Sequence, residues 1–246
     1  YYGSWEFDRV KFPDPKGMID LLHEWGFRVM LWICPFVSPD SFEFRYLRDK
    51  GGLVRNPDGK VRIVGWWNGF SGVLDLSNPV DIEWFRSRCG HLTEDYGVDG
   101  FKFDGGTLEA YTPESFLNGT VETTRTPAEL NQAWNAFGER YEYHEYKDTW
   151  KGGGHAVIQR LRDKGHRWDG DGINMLIPCS IVQGLIGHPF ICPDMIGGGE
   201  YSNMTENADK LDQELIVRST QASALLPMMQ FSAAPWRILN KDNYAC

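Results

Sequence analysis

Three carboxylates fall at the same kind of place in this chain. Gly97-Val98-Asp99-Gly100-Phe101-Lys102-Phe103-Asp104-Gly105-Gly106 reads as a tight turn, a short apolar strand, and then Asp104 followed by two glycines. The apolar run over 155–163 stops on Asp163, and the one over 189–194 stops on Asp194. Where parallel strands alternate with helices, the groups that do chemistry gather beyond the C-terminal ends of the strands. Carboxylates there could serve as acid, base or nucleophile. Lys102, two residues before Asp104, falls on the same side of its strand. Any one of these aspartates alone also fits a helix cap with glycines completing the turn. Three at strand ends point to a carboxylate-lined pocket.

The elements that must carry them follow from the pattern. Pro15 opens a helix whose apolar face is Met18, Ile19, Leu21, Leu22 and Trp25, and Gly26 ends it. The nearly continuous apolar run over 28–36 is the mark of a strand buried on both faces of a parallel sheet. Residues 37–77 are a long excursion rich in Gly, Asp and aromatics, of the kind that usually has a function. Asn78-Pro79 opens a helix to about Tyr96, and the strand 98–104 follows. A loop over 105–126, a helix over 127–138 and a weak strand signal over 141–146 come next. Then come the strand 155–163, a helix over 171–186, the strand 189–194, a helix over 207–224 and a last apolar strand over 226–232. Strand, loop, helix is the order of βα units, so the fold class is α/β with a parallel sheet.

The whole-chain numbers narrow the chemistry. With 246 residues and 41% hydrophobic content, the chain can bury a large core. A net charge of −9 argues against a nucleic-acid partner, since phosphate binding needs a basic face. Ten Trp and ten Tyr suit a core and equally a cleft in which sugar rings stack on aromatic faces. Five widely spaced cysteines fit neither a zinc site nor a disulfide framework. No apolar run has the length of a membrane span. His23, His166 and His188 have no metal spacing, and neither metal nor cofactor is expected. Asn118-Gly119-Thr120 and Asn203-Met204-Thr205 are glycosylation sequons, which matter in a secreted chain.

Several segments, in order, resemble glycoside hydrolase family 31, the retaining α-glycosidases built on a (β/α)8 TIM barrel. Phe12-Pro13-Asp14-Pro15 and Leu31-Trp32-Ile33-Cys34-Pro35-Phe36 resemble the approach to the family's third strand and that strand. Trp67-Asn68-Gly69 and Asp75-Leu76-Ser77-Asn78-Pro79 resemble its Trp/Gly loop and a helix start. Gly100-Phe101-Lys102-Phe103-Asp104 resembles the nucleophile strand, and Pro193-Asp194-Met195-Ile196-Gly197-Gly198 the seventh-strand motif. Leu226-Pro227-Met228-Met229-Gln230-Phe231-Ser232 is similar to the eighth strand. The wording of Asp163-Lys164-Gly165-His166-Arg167-Trp168 and of the Pro193 segment is nearest the branch of myogenesis-regulating and α-galactosidase-like members.

The resemblance implies a single partial barrel domain over 1–246 that holds strands 3 to 8, with the first two strands ahead of Tyr1 and further domains in the same chain. It implies a hydrolase for terminal α-galactosides or α-glucosides that works by retaining double displacement. Asp104 matches the nucleophile. For the acid/base, Asp163 has the five-residue spacing to Trp168 and leads, with Asp171 second and Asp169 also near. Lys102 could attend the nucleophile or bind a hydroxyl, Arg160 could steady Asp163, and Asp194 would bind sugar hydroxyls. Trp32 and Trp67 fit sugar walls, and each fits plain core nearly as well. Gly105-Gly106 stands where relatives often carry Glu, and Lys147 is nearest to an expected substrate-binding Arg. A sugar-binding barrel fragment without turnover is the alternative.

Overall fold

A computed structural model describes residues 2–112, 125–199 and 208–244. Both sequons and Cys246 lie outside the described residues. The chain divides into two units, 1–151 and 152–246.

In the first unit, α1 (Pro15–Glu24) begins where the Asp14 carboxylate accepts the Gly17 N–H at 2.9 Å, with Pro15 supplying the first helical φ. It leads into β1 (Met30–Ile33). Pro35, which cannot donate to a ladder, separates β1 from β2 (Phe36–Val37). The excursion that follows is structured. It holds α2 (Phe42–Asp49), β3 (Ile63–Trp66) and β4 (Gly69–Val73), and β2, β4 and β3 form an antiparallel sheet. Gly65, Gly69 and Gly72 interrupt any alternating apolar pattern there, so the strands left little trace in the sequence.

The helix α3 (Pro79–Tyr96) is capped by Asn78 and ends on Gly97, whose φ of 83° is left-handed. It delivers β5 (Gly100–Phe103). After the short α4 (Leu108–Tyr111), Thr126 and Glu129 close a reciprocal capping box on α5 (Pro127–Gly138), which leads to β6 (Tyr143–Tyr146). Strands β1, β5 and β6 are parallel, with β5 central. Their alternation sorts the residues. Phe101 and Phe103 are fully buried and, with Tyr146, meet Trp134 and Phe137 of α5 and Phe85 of α3 through a chain of ring contacts. Trp32, Lys102 and Glu145 share one register row, one from each strand.

In the second unit, β7 (Ile158–Arg160) and β8 (Phe190–Cys192) are parallel, and α6 (Leu176–Leu185) lies between them in sequence. The expected helix at 171 begins instead with a 3-10 turn at Ile173–Met175. Next come α7 (Gln213–Ser223), α8 (Pro235–Ile238) and α9 (Lys241–Tyr244). The strand expected over 226–232 is reduced to one bridge between Gln230 and Met195. Pro227 lacks a donor and Met229 and Phe231 are exposed, so little pairing or burial holds that run extended beyond the bridge. Among the described residues no helix is long and apolar enough to cross a membrane.

Candidate active site

The first unit carries a cleft of about 830 Å³, lined among others by Asp104, Trp32, Lys147, Arg62, Trp66 and Trp67. That size lies within the range of small-ligand sites. Asp104 follows directly on β5, and its backbone N–H donates to the Ile33 carbonyl at 2.8 Å, so the sheet ladder fixes its position. Donors reach both carboxylate oxygens. The Trp32 indole N–H donates to Oδ2 at 2.8 Å and the Gly105 N–H to Oδ1 at 2.7 Å. The Lys147 ammonium stands 3.9 Å from Oδ1.

Gly105 and Gly106 both take left-handed φ values, 67° and 65°. A Cβ on Gly106 would come within 2.5 Å of the Trp134 ring. The fully buried Asn131 donates to the Gly106 carbonyl at 2.7 Å and holds the turn from below. With this backbone the Gly105-Gly106 turn leaves no room for a side chain at position 106.

Lys102 turns to Glu145, 3.4 Å away, and the lysine that stands beside Asp104 is Lys147, just after β6. Trp32 sits half-buried at the cleft, whereas Trp67, at the β3–β4 turn, is 80% exposed on its rim. Sequence reasoning missed Glu145 and Trp66. A lone carboxylate in the strand Tyr143–Tyr146 was the available signal for the first.

The second unit gathers the other carboxylates around one guanidinium. Arg160, buried at the end of β7, donates from Nη1 to Asp163 Oδ1 at 2.6 Å and to Asp194 Oδ1 at 2.7 Å. Asp194 is buried with a left-handed φ of 71°, an uncommon backbone for a non-glycine residue. Burial raises its carboxyl pKa, and the Arg160 charge opposes that shift. Asp163 is partly exposed. Asp171 meets the exposed Arg162 at 3.4 Å, and Asp169 pairs with exposed Arg167. Arg160 thus joins Asp163, and neither rival, to Asp194. Among the described residues no three His, Cys, Asp or Glu side chains come together as a metal site would require.

Parallel strands alternating with helices, with carboxylates just past the strand ends and a tryptophan-lined cleft at one of them, define an α/β domain that carries its candidate site beyond the C-terminal ends of its strands. The model of the glycosyl hydrolases family 31 TIM-barrel domain matches residues 1–242, and the chain belongs to that family. The myogenesis-regulating glycosidase of Mus musculus is 34% identical over 242 residues, covering 96% of this chain and 33% of that protein. The sulfoquinovosidase of Escherichia coli K12 is 25% identical over 242 residues, covering 92% of this chain and 34% of that protein. The family 31 dextranase of Flavobacterium johnsoniae, solved with glucose, shares the fold with a TM-score of 0.78 at 20% identity, covering 99% of this chain and 33% of that one. The chain thus spans about a third of the length of these relatives.

Proposed function

We propose that the chain is the catalytic part of a retaining α-glycosidase, with Asp104 as nucleophile and Asp163 as acid/base. The observation that carries this reading is the seat of Asp104: a strand-end carboxylate at a tryptophan-lined cleft, with donors from Trp32 and Gly105 on its two oxygens. Family membership supplies the reaction class.

Retention requires two carboxyl groups about 5–5.5 Å apart. In the first step an Asp104 oxygen attacks the anomeric carbon while Asp163 gives its proton to the departing oxygen. In the second, Asp163 takes a proton from water, and the water displaces Asp104 from the sugar. Lys147, beside the nucleophile, and Trp32 face the sugar, and Trp67 offers a ring for stacking at the rim. Asp194 gives Oδ1 to Arg160, and its buried Oδ2, which has no hydrogen-bond partner among the described residues, is the acceptor we assign to sugar hydroxyls. The substrate is a terminal α-glycoside, galactoside or glucoside, and further domains of the same protein complete the enzyme. Proton NMR of the first-released sugar tests the mechanism: release as the α-anomer supports retention, and release as the β-anomer refutes it. Binding of sugar without turnover would identify a sugar-binding barrel instead.

A further inference from the structure

The motif Asp163-Lys164-Gly165-His166-Arg167-Trp168 holds more than a carboxylate. Lys164 is buried, 7% exposed, an expensive place for an ammonium unless its donors are used. They are used on backbone. Its Nζ donates to the Arg162 carbonyl at 3.1 Å and to the Pro193 carbonyl at 2.9 Å, so one side chain spans the loops after β7 and β8. Those loops carry Asp163 and Asp194.

Further along the motif, other side chains make similar links. His166 Nδ1 donates to the Gly197 carbonyl at 2.7 Å, because a carbonyl can only accept, and its Nε2 accepts the Asp212 N–H at 2.8 Å. Trp168 donates to Asp212, the cap of α7, at 2.8 Å. The backbone also closes the link. Gly199 N–H donates to the Lys164 carbonyl at 3.0 Å, and a Cβ on Gly198 would strike the Gly165 carbonyl at 2.4 Å.

We propose that Lys164 is a positioning residue for the proposed glycosidase reaction, locking the Asp163 loop to the Asp194 loop so that Arg160 meets both carboxylates. The proposal rests on the reading of Asp163 as acid/base. Burial lowers the Lys164 pKa, and the Asp194 and Asp163 charges oppose that shift, so the ammonium and both carboxylates are electrostatically linked.

The test compares the full chain with Lys164→Met, which keeps the apolar stem and removes the charge and donors. Hydrolysis of an alkyl α-glycoside should fall about tenfold or more, and that of an activated aryl α-glycoside less, because a displaced acid matters most to a poor leaving group. The ¹³C titration of the Asp194 carboxyl should move to higher pH, since a positive neighbour is lost. If Lys164→Met does not fold, Lys164→Gln carries the same two readouts. A lowered Tm with an unmoved Asp194 titration and unmoved leaving-group dependence would overturn the proposal and leave Lys164 structural. If the parent chain hydrolyses no glycoside, the functional reading fails by itself, and the Asp194 titration still decides whether Lys164 acts on that carboxylate.

Discussion

Trp32 donates its indole N–H to Asp104 Oδ2 at 2.8 Å across two neighbouring parallel strands. The bond orients the carboxylate that the proposed mechanism uses as nucleophile, and it is independent of the ring's value as a sugar wall. Trp32→Phe separates the two roles, because it keeps an aromatic face and removes the donor. A hydrogen bond to a charged group contributes about 1.5–3 kcal/mol. The expected loss in kcat/KM on an aryl α-glycoside is therefore about tenfold to a hundredfold, falling mainly on kcat.

Gly106 is expected to tolerate no side chain. Gly106→Ala places a Cβ 2.5 Å from Trp134 at a left-handed φ. The combined strain and overpacking should lower stability by about 2–4 kcal/mol, read as a fall in the urea midpoint.

Much of this was legible in the sequence, for reasons that can be named. Proline and polar caps at Asp14-Pro15, Asn78-Pro79 and Thr126-Pro127 marked helix starts, and the structure places α1, α3 and α5 there. The strand-end position of Asp104 followed from an apolar run broken by two glycines. The β2–β4–β3 sheet was not legible, because its glycines erase the period of two. The last expected strand shrank to one parallel bridge between Gln230 and Met195, because Pro227 cannot donate to a ladder and a run of apolar residues does not by itself show how long the pairing extends. Partners set by register, such as Lys102 with Glu145, depend on how separate strands align, and no local pattern encodes that.

Asp81 should give stability a component that falls with rising pH. It is wholly buried at the start of α3, where it accepts the Leu53 and Asp75 N–H groups, and desolvation pushes its pKa up to about 7. A folded-state pKa above the unfolded value means that the unfolded chain gives up its proton first. The contribution is therefore fully present below about pH 4 and is lost as pH rises towards and through 7. Asp81→Asn keeps an acceptor and removes the titration. Urea midpoints measured from pH 4 to 8 should lose that part of their slope in the variant.

The acid/base assignment is read by leaving-group dependence. Asp163→Ala should slow hydrolysis of alkyl α-glycosides by about 10²–10⁴-fold while sparing strongly activated aryl glycosides. Asp171→Ala, which removes a carboxylate paired only to exposed Arg162 among the described contacts, should change both substrates little. The reverse pattern would move the acid/base role to Asp171.

If Asp104 is the nucleophile, it forms a covalent bond to the sugar that can be trapped. The protein is treated with a fluorinated α-glycosyl fluoride that glycosylates quickly and hydrolyses slowly, then digested and examined by mass spectrometry. One glycosyl adduct is expected, on the peptide that carries Asp104, and none in Asp104→Ala. An adduct on another carboxylate, or undiminished turnover by Asp104→Ala, would contradict it.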